Sequence, residues 1–260
     1  MYLEKAKELI RKEYEENLSL ATGVGRELIE EKIKHTYQVL GAGNLILKNE
    51  PIYKDLSLYE IDLLKATVLL HDLGRFHEGV DAKIDHGVFG AQLLENIDVF
   101  KECKVRLSVK HHGHLIEELY NDEEYLNLSK QEQEEVVKYI FLVRDADKIA
   151  NYNLVANEFS RMVELFFHPS RYKGGKIVSE GLHECFMKHC SINRKDVTDV
   201  CDHVLMFLAC IFDLNYKSSF VFLDKLKIMD RLLDMCAVFW EKEYANIYKK
   251  EISDYMKSKL

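Results

Sequence analysis

The sequence predicts an all-α protein. Apolar residues recur at intervals of three and four over long stretches, which is the spacing of one helix face. No segment alternates apolar and polar residues in the way that a half-buried strand does. Only two prolines and twelve glycines interrupt the 260 residues, so few positions break a helix.

The periodic stretches divide the chain into a series of helices. We expect helices over residues 2–17, 25–47, 55–73, 85–96, 100–112, 129–155, 156–167, 178–190, 195–213, 219–239 and 241–258. At the start of the helix over 55–73, Ser57 and Glu60 have the spacing of a capping box. Gly74 follows the end of that helix, where a glycine with positive φ would stop it.

The composition excludes several classes of protein. A formal net charge of −8 argues against a long nucleic acid as partner, because proteins that bind one present a basic face. The longest apolar run, Val204–Phe212, has nine residues, whereas a membrane span needs roughly 18. The charged N-terminal segment "MYLEKAKELIRKEYEEN" lacks the apolar core of a secretory signal. We therefore expect a cytoplasmic protein with no membrane partner.

The cysteines show no pattern of a disulfide framework or a zinc site. The six are Cys103, Cys185, Cys190, Cys201, Cys210 and Cys236. Without an export signal we expect them to be reduced thiols. The His and Cys residues between positions 183 and 203 match no zinc spacing, and we expect them in the core.

The stretch "TVLLHDLGRFHEG", residues 67–79, ends an apolar run in adjacent His71 and Asp72. At about 100° per residue, both residues extend the stripe that Leu64 and Val68 form. A carboxylate buried on that face without a partner costs free energy. A divalent cation bound by both side chains would remove that cost, so we predict a metal site here.

Two other segments direct a candidate ligand toward an apolar face. Glu31 and His35 are four residues apart and therefore lie on one side of their helix. In "YIFLVRDADKIANY", Asp147 continues the stripe that contains Val143. Asp145 lies about 200° around the same helix from Asp147, so both carboxylates are not expected on one metal. We predict Asp147 as the ligand, with Asp145 as the alternative.

Three further histidines lie near helix ends. His111 and His112 close the helix that carries Val105 and Val109, and His112 continues its apolar stripe. His86 stands near the beginning of the helix in "DHGVFGAQLLENI". Neutral imidazole is a common ligand of transition metals, and we predict all three histidines as additional ligands.

Together these residues resemble the HD-domain metal-dependent phosphohydrolase superfamily. Its pattern is an early His, a His-Asp doublet that ends an apolar helix, and a late Asp within a helix. In this sequence those residues are His35, His71-Asp72 and Asp147, and the resemblance covers about residues 25–155.

The resemblance extends to members of the superfamily that hold two metal ions. Such members carry an intermediate His and a later His pair, which match His86 and His111-His112, and some carry a Glu at the position of Glu31. Cyclic-dinucleotide phosphodiesterases of this superfamily have Gly-Tyr-Pro after the pair, and "HHGHLIEELY" lacks it. That substrate is therefore not expected.

The resemblance also implies the domain organisation. We expect an HD-domain helical bundle, with the N-terminal helix, at residues 1–155. A C-terminal helical extension, residues 156–260, is expected to pack on this core as one compact unit.

Histidine nitrogens and carboxylate oxygens without cysteine suit Mn²⁺, Fe²⁺, Co²⁺, Ni²⁺ or Zn²⁺. The resemblance leaves open whether one or two ions bind. Two ions bridged by Asp72 would hold a hydroxide that attacks phosphorus in line with the leaving alkoxide. With one ion, the ligands His35, His71, Asp72 and Asp147 suffice, and the remaining histidines, His111 among them, would contact phosphate or protonate the leaving group.

Several cations have two interpretations. Arg75 follows the doublet, where it can stabilise charge on a transferred phosphoryl group or pair with Glu78 at the surface. Lys148, next to Asp147, has the same two interpretations. A basic loop would bind phosphate or be merely solvated, and its cations are Arg171, Lys173 and Lys176.

The sequence therefore predicts a metal-dependent phosphohydrolase, either a phosphomonoesterase or a phosphodiesterase, for a nucleotide or related metabolite. We expect Asp72, Arg75 and His111 to take part in catalysis. One alternative is a di-iron HD-fold oxygenase, and another is a non-catalytic module that binds a metal or a nucleotide. The expected partner is a small phosphorylated substrate, and the sequence does not decide the oligomeric state.

Overall fold

A computed structural model describes all residues of the chain, 1–260, and confirms the all-α prediction. It contains helices and no strand. In chain order the α-helices are α1 (Tyr2–Leu20), α2 (Gly23–Asn49), α3 (Leu58–Leu70), α4 (Arg75–Glu78), α5 (His86–Glu95), α6 (Cys103–His111), α7 (Ile116–Tyr120), α8 (Glu123–Leu126), α9 (Lys130–Asn157), α10 (Phe159–Phe167), α11 (Glu180–Met187), α12 (Val200–Ala209), α13 (Lys217–Lys225), α14 (Ile228–Cys236) and α15 (Lys242–Lys259). None of these helices combines the length and the apolar character that crossing a bilayer needs.

The long helices lie where the sequence predicts them, whereas three short ones were not predicted. Helices α4, α7 and α8 have four or five residues each. One turn or slightly more is too short to show a period of 3.6 residues. The predicted capping box at the start of α3 is present, because Ser57 accepts the amide of Glu60 and Glu60 accepts the amide of Ser57.

Two predicted helices are longer than the helices in the structure. The prediction over residues 219–239 is wrong as one helix, because Lys227 has a φ of 52° and separates α13 from α14. A lysine in the left-handed region ends the hydrogen-bond series of α13. The prediction over 195–213 is also too long, since α12 begins only after Asp199, whose side chain caps it.

Contacts divide the chain into two compact units, Met1–Asp147 and Lys148–Leu260. The division falls within α9. The expected boundary at residue 155 and the packing of the extension on the core stay predictions.

In the first unit, α1 and α2 both pack against α3, and α5 packs against α6. Helix α3 contributes fully buried apolar residues, among them Leu64, Val68 and Leu70. Burying such a side chain contributes roughly 1.5–3 kcal/mol. This packing fixes the end of α3, and the charged residues that follow, inside the unit.

Gly74 allows the turn after α3 to lie directly against α5. Its φ is −71°, so the expected positive φ is wrong. The reason for a glycine here is the close approach of two backbones: a Cβ on Gly74 would lie 2.1 Å from the carbonyl oxygen of His86 and 2.9 Å from the amide nitrogen of Gly90.

A second glycine serves the neighbouring contact between α5 and α6. A Cβ on Gly87 would lie 2.4 Å from the carbonyl oxygen of Lys110. Because the clash would again be with backbone, no rotamer change can relieve it. The two glycines together let the ends of α3, α5 and α6 meet closely.

The second unit has its own apolar core with polar groups satisfied inside it. Tyr152 donates its hydroxyl to the carbonyls of Phe207 and Leu208 at 3.1 Å each, and the Nε1–H of Trp240 donates to the carbonyl of Cys201 at 3.1 Å. All six cysteines are free thiols. Cys201 is fully buried within this core, as expected. His189 and Cys190 are exposed, so the expectation of a core position is wrong for these two residues.

Substituting Gly74 tests the backbone contact. We expect Gly74→Ala to lower the free energy of unfolding by about 3 kcal/mol, because the new methyl group must displace backbone atoms. Gly41→Ala is the control, since a Cβ there meets nothing within 4 Å, and it should be neutral or slightly stabilising. Urea denaturation measures both variants, and equal stabilities would contradict this account.

Candidate metal centre

Five elements of the first unit bring the predicted ligands together. Helix α2 carries His35, the turn after α3 carries His71 and Asp72, and α5 begins with His86. The remaining candidates are at the end of α6, His111 and His112, and on α9, Asp147.

The imidazoles of His71 and His112 are each held by a hydrogen bond to a backbone carbonyl of the preceding helix. Each is the residue that follows its helix, where backbone carbonyls have no partner within the helix. The Nδ1 of His71 is 2.8 Å from the carbonyl oxygen of Val68, and the Nδ1 of His112 is 2.7 Å from that of Val109. An imidazole that donates its Nδ1–H to a carbonyl presents Nε2 as a lone pair to a metal.

Two groups of side chains have the spacing of a metal site. One contains His35, His71 and Asp147, and the other contains His71, Asp72 and His112. Within each group the ligand atoms lie within 4.8 Å of one another. His71 belongs to both, so the two groups form one continuous cluster.

The cluster contains nitrogen atoms that fit a bound cation. The Nε2 of His71, the Nε2 of His86 and the Nδ1 of His35 are buried and have no hydrogen-bond partner. The Nε2 of His71 lies 3.5 Å from Asp72 and 3.7 Å from Asp147. Buried polar atoms are nearly always satisfied, and a divalent ion between the two carboxylates would satisfy the Nε2 of His71. The donor atoms of these residues therefore fit a divalent metal ion.

The carboxylate of Asp72 lies close to nitrogen atoms of several side chains. Its Oδ2 is 2.9 Å from the Nζ of Lys32, and its Oδ1 is 3.3 Å from the Nε of Arg75. The same Oδ1 lies 3.3 Å from the Nε2 of His112 and 3.5 Å from that of His86. Burial alone would raise the pKa of Asp72, but the charges of Lys32, His71 and Arg75 hold that pKa well below its usual value.

The histidines divide by the sign of their pKa shifts. Burial lowers the pKa of His35 and of His86, and it lowers that of His112 to about 4. Burial also opposes the charge on His71, but the adjacent carboxylate of Asp72 outweighs it and raises the pKa of His71. Around neutral pH the first three imidazoles are therefore neutral and can act as ligands.

Asp147, and not Asp145, reaches the centre. The Oδ1 of Asp147 is 2.9 Å from the Nε2 of His35. Burial opposes ionisation of Asp147, but its contact with His35 lowers the pKa. Asp145 is buried on another side of α9 and belongs to neither group. Glu31 is likewise buried outside both groups, 3.8 Å from the ammonium of Lys34.

The structure does not bring His111 to the two groups. Its Nε2 is 2.7 Å from Asp122, which also accepts a hydrogen bond from Lys110 at 2.6 Å. Although burial opposes ionisation of Asp122, these two neighbours lower its pKa to about 2. Adjacent residues at a helix end point in different directions, so His112 reaches Asp72 whereas His111 pairs elsewhere.

Arg75 makes the predicted contact with Glu78 and, in addition, a contact with Asp72 that was not predicted. Glu78 in turn is 3.4 Å from the Nδ1 of His86. Lys148, by contrast, pairs with Asp213 at 2.9 Å in the second unit. The phosphate role of the basic loop stays a prediction.

Two cations of the centre were missed by the sequence reasoning. Lys32 lies three residues before His35 and Arg144 three before Asp147, a spacing that places each on its ligand's side of the helix. Arg144 is buried and donates to the carbonyls of His111, His112 and His114 at 2.9, 3.1 and 2.5 Å. It thereby ties α9 to the end of α6.

Replacing Arg144 tests this link. We expect Arg144→Met to lower the free energy of unfolding by about 3 kcal/mol, because buried carbonyls lose charged donors. Arg144→Lys should lose less, since it keeps one charged donor. Arg26, which is exposed and pairs with Glu30, is the control, and Arg26→Met should cost below about 1 kcal/mol. Equal losses for the two Met variants would refute the link.

The raised pKa of His71 predicts how metal affinity depends on pH. A metal needs the lone pair of Nε2, which a proton occupies below that pKa. Affinity for Mn²⁺ should therefore be highest at alkaline pH and fall by about tenfold per pH unit below the pKa of His71. Because the pKa values of His35 and His112 are lowered, protonation of these two histidines weakens metal binding only at lower pH. Calorimetric titration measures this, and an affinity independent of pH would contradict it.

One of the comparisons with known proteins gives a match. The family model described as "HD domain" matches residues 33–152, the segment that contains His35, the His71-Asp72 pair and Asp147. Neither the curated proteins nor the solved structures that were compared gave a match. The motif, the all-α fold and the family match agree. Residues 33–152 therefore match the HD domain, consistent with the HD-domain metal-dependent phosphohydrolase superfamily.

Proposed function

We propose that the protein is a metal-dependent phosphohydrolase that cleaves a small phosphate ester, such as a nucleotide or a related metabolite. One observation carries the proposal. The unpartnered Nε2 of buried His71 lies between the carboxylates of Asp72 and Asp147, and the guanidinium of Arg75 borders the carboxylate of Asp72. The first feature suits a metal, and the second suits a phosphoryl group beside it.

Four residues would hold the ion: His35, His71, Asp72 and Asp147. Their nitrogen and oxygen donors suit Mn²⁺, Fe²⁺, Co²⁺, Ni²⁺ or Zn²⁺. Such an ion, when bound, supplies Lewis acidity and lowers the pKa of a water molecule toward neutrality.

Arg75 is the proposed phosphate ligand. Its side chain is 28% exposed, so its guanidinium can meet both Asp72 and a substrate. A guanidinium has five N–H donors, and the contacts with Asp72 and Glu78 leave donors for phosphoryl oxygens. Held by two carboxylates, the group is oriented before the substrate arrives, which reduces the cost of binding.

His86 and Glu78 have the arrangement of a general base with its orienting carboxylate. The Nδ1 of His86 faces Glu78 at 3.4 Å, whereas its Nε2 faces Asp72 at 3.5 Å. Burial lowers the pKa of His86, so the imidazole is neutral and can accept a proton near pH 7. We assign to His86 the orientation of the attacking water.

The placement of His111 supports a single ion. The two-ion arrangement needs His86, His111 and His112 together, but the Nε2 of His111 is bonded to Asp122. A di-iron oxygenase needs two ions as well, so this geometry favours hydrolysis over oxidation. We accordingly propose no direct catalytic role for His111.

The test combines metal content with a panel of esters. Protein purified without added metal should contain about one equivalent of a transition metal and release phosphate or nucleotide monophosphate from at least one ester. Asp72→Asn keeps the side-chain volume but removes the charge, and it should lose metal and lower activity by at least about a hundredfold. Circular dichroism should show unchanged helicity.

The control is Asp55→Asn, which changes an exposed aspartate outside the centre and should leave both metal content and activity unchanged. Full turnover by Asp72→Asn would refute the assignment of this centre. Oxygen-dependent turnover with iron, without ester cleavage, would replace hydrolysis by oxidation. Tight nucleotide binding without any turnover would make the domain a binding module.

A further inference from the structure

Lys32 is a cation whose position the hydrolase proposal does not yet use. It lies on α2 one turn before His35, and its Nζ is 2.9 Å from the Oδ2 of Asp72. Its side chain is 25% exposed, so the ammonium lies between a buried carboxylate and solvent. A lysine with this contact neutralises Asp72, but the same carboxylate is a ligand of the proposed ion.

The ammonium and a divalent ion compete for this carboxylate. Like charges at short range repel each other, so an ion bound at Asp72 would repel the ammonium of Lys32. Arg75 meets the other oxygen of Asp72 and is held by Glu78 as well. Lys32 makes its ion pair with Asp72 only, so it is the cation that can leave.

The lysine side chain can make this move without a change in the helix. Its four-carbon stem is flexible and its charge is a compact point. The backbone stays fixed, because the carbonyl of Lys32 accepts the hydroxyl of Thr36 at 2.8 Å within α2. Because the side chain is partly exposed, the ammonium can turn away from Asp72 about its flexible stem.

We propose that Lys32 binds a phosphoryl oxygen of the substrate when an ion occupies Asp72, in exchange for its ion pair with that carboxylate. The ligand class is a phosphoryl anion, to which an ammonium group binds well. This inference rests on the proposed function, because it needs a phosphoryl group beside the ion. Lys32 would then strengthen the binding of the substrate and weaken the binding of the metal ion.

The two effects have opposite signs, which makes the inference testable. Lys32→Met removes a like charge beside the ion, and its affinity for Mn²⁺ should rise by roughly fivefold. The same variant, loaded with Mn²⁺, should bind inorganic phosphate at least about tenfold more weakly. A residue that only supported the fold would lower both affinities. Calorimetric titrations of Mn²⁺ and then of phosphate measure the two effects.

Lys34 supplies a matched control on the same helix. Its side chain is 64% exposed and lies 3.8 Å from Glu31, so Lys34→Met should leave both affinities within about twofold of the wild type. Lys32→Arg keeps the positive charge and should retain most of the phosphate affinity. Lys32→Gln serves in place of Lys32→Met if the latter does not fold, with the same expected signs.

The outcomes separate the inference from the proposed function. If wild-type protein binds phosphate but Lys32→Met binds it equally well, the inference is wrong and the hydrolase proposal stands. A weaker affinity of Lys32→Met for Mn²⁺ would also overturn it, because Lys32 would then merely support Asp72. If metal-loaded wild-type protein neither binds phosphate nor cleaves an ester, both proposals fall.

Discussion

The interaction on which the centre depends is that of the Asp72 carboxylate with its surroundings. This carboxylate is almost fully buried, and a buried charge is tolerated only with charged or hydrogen-bonding partners. Lys32 and Arg75 provide two of them, and imidazole nitrogens surround the rest of the group. An arrangement of this cost is difficult to explain by stability alone, because apolar packing would fill the same space more favourably.

The fold serves that carboxylate by bringing helix ends together. Gly74 and Gly87 remove the side chains that would separate the turn after α3 from α5 and α6. Arg144 then fixes the end of α6 by its three carbonyl contacts. Helix ends leave backbone groups unpaired, and here His71, His112 and Arg144 satisfy those groups. The same side chains that complete the helices thus orient the candidate ligands.

Much of this centre could be predicted because its ligands continue apolar stripes. His71, Asp72 and Asp147 each lie on the buried face of a long helix or just beyond it, and periodicity reveals such faces. His35 shares a helix face with Glu31, and it also occupies the place of the early His in the family pattern. Periodicity favours His112, which continues the stripe of Val105 and Val109, but it does not tell where the side chain of the neighbouring His111 points. That direction depends on Asp122, which lies eleven residues later.

Other features depend on contacts that a single sequence does not display. The role of Gly74 comes from the backbone of α5 rather than from its own φ. The break at Lys227 has no glycine or proline to mark it. Lys32 and Arg144 did have a signal, since each lies three residues before a ligand, but charged residues at that spacing are common on solvated faces.

X-ray absorption by the metal in protein purified without added metal tests the central claim most directly. The account predicts a first shell of nitrogen and oxygen atoms at about 2.0–2.2 Å, with the outer scattering of two imidazole rings. Those rings would belong to His35 and His71. A shell that contained sulfur at about 2.3 Å, or one without imidazole scattering, would place the metal elsewhere and contradict the account.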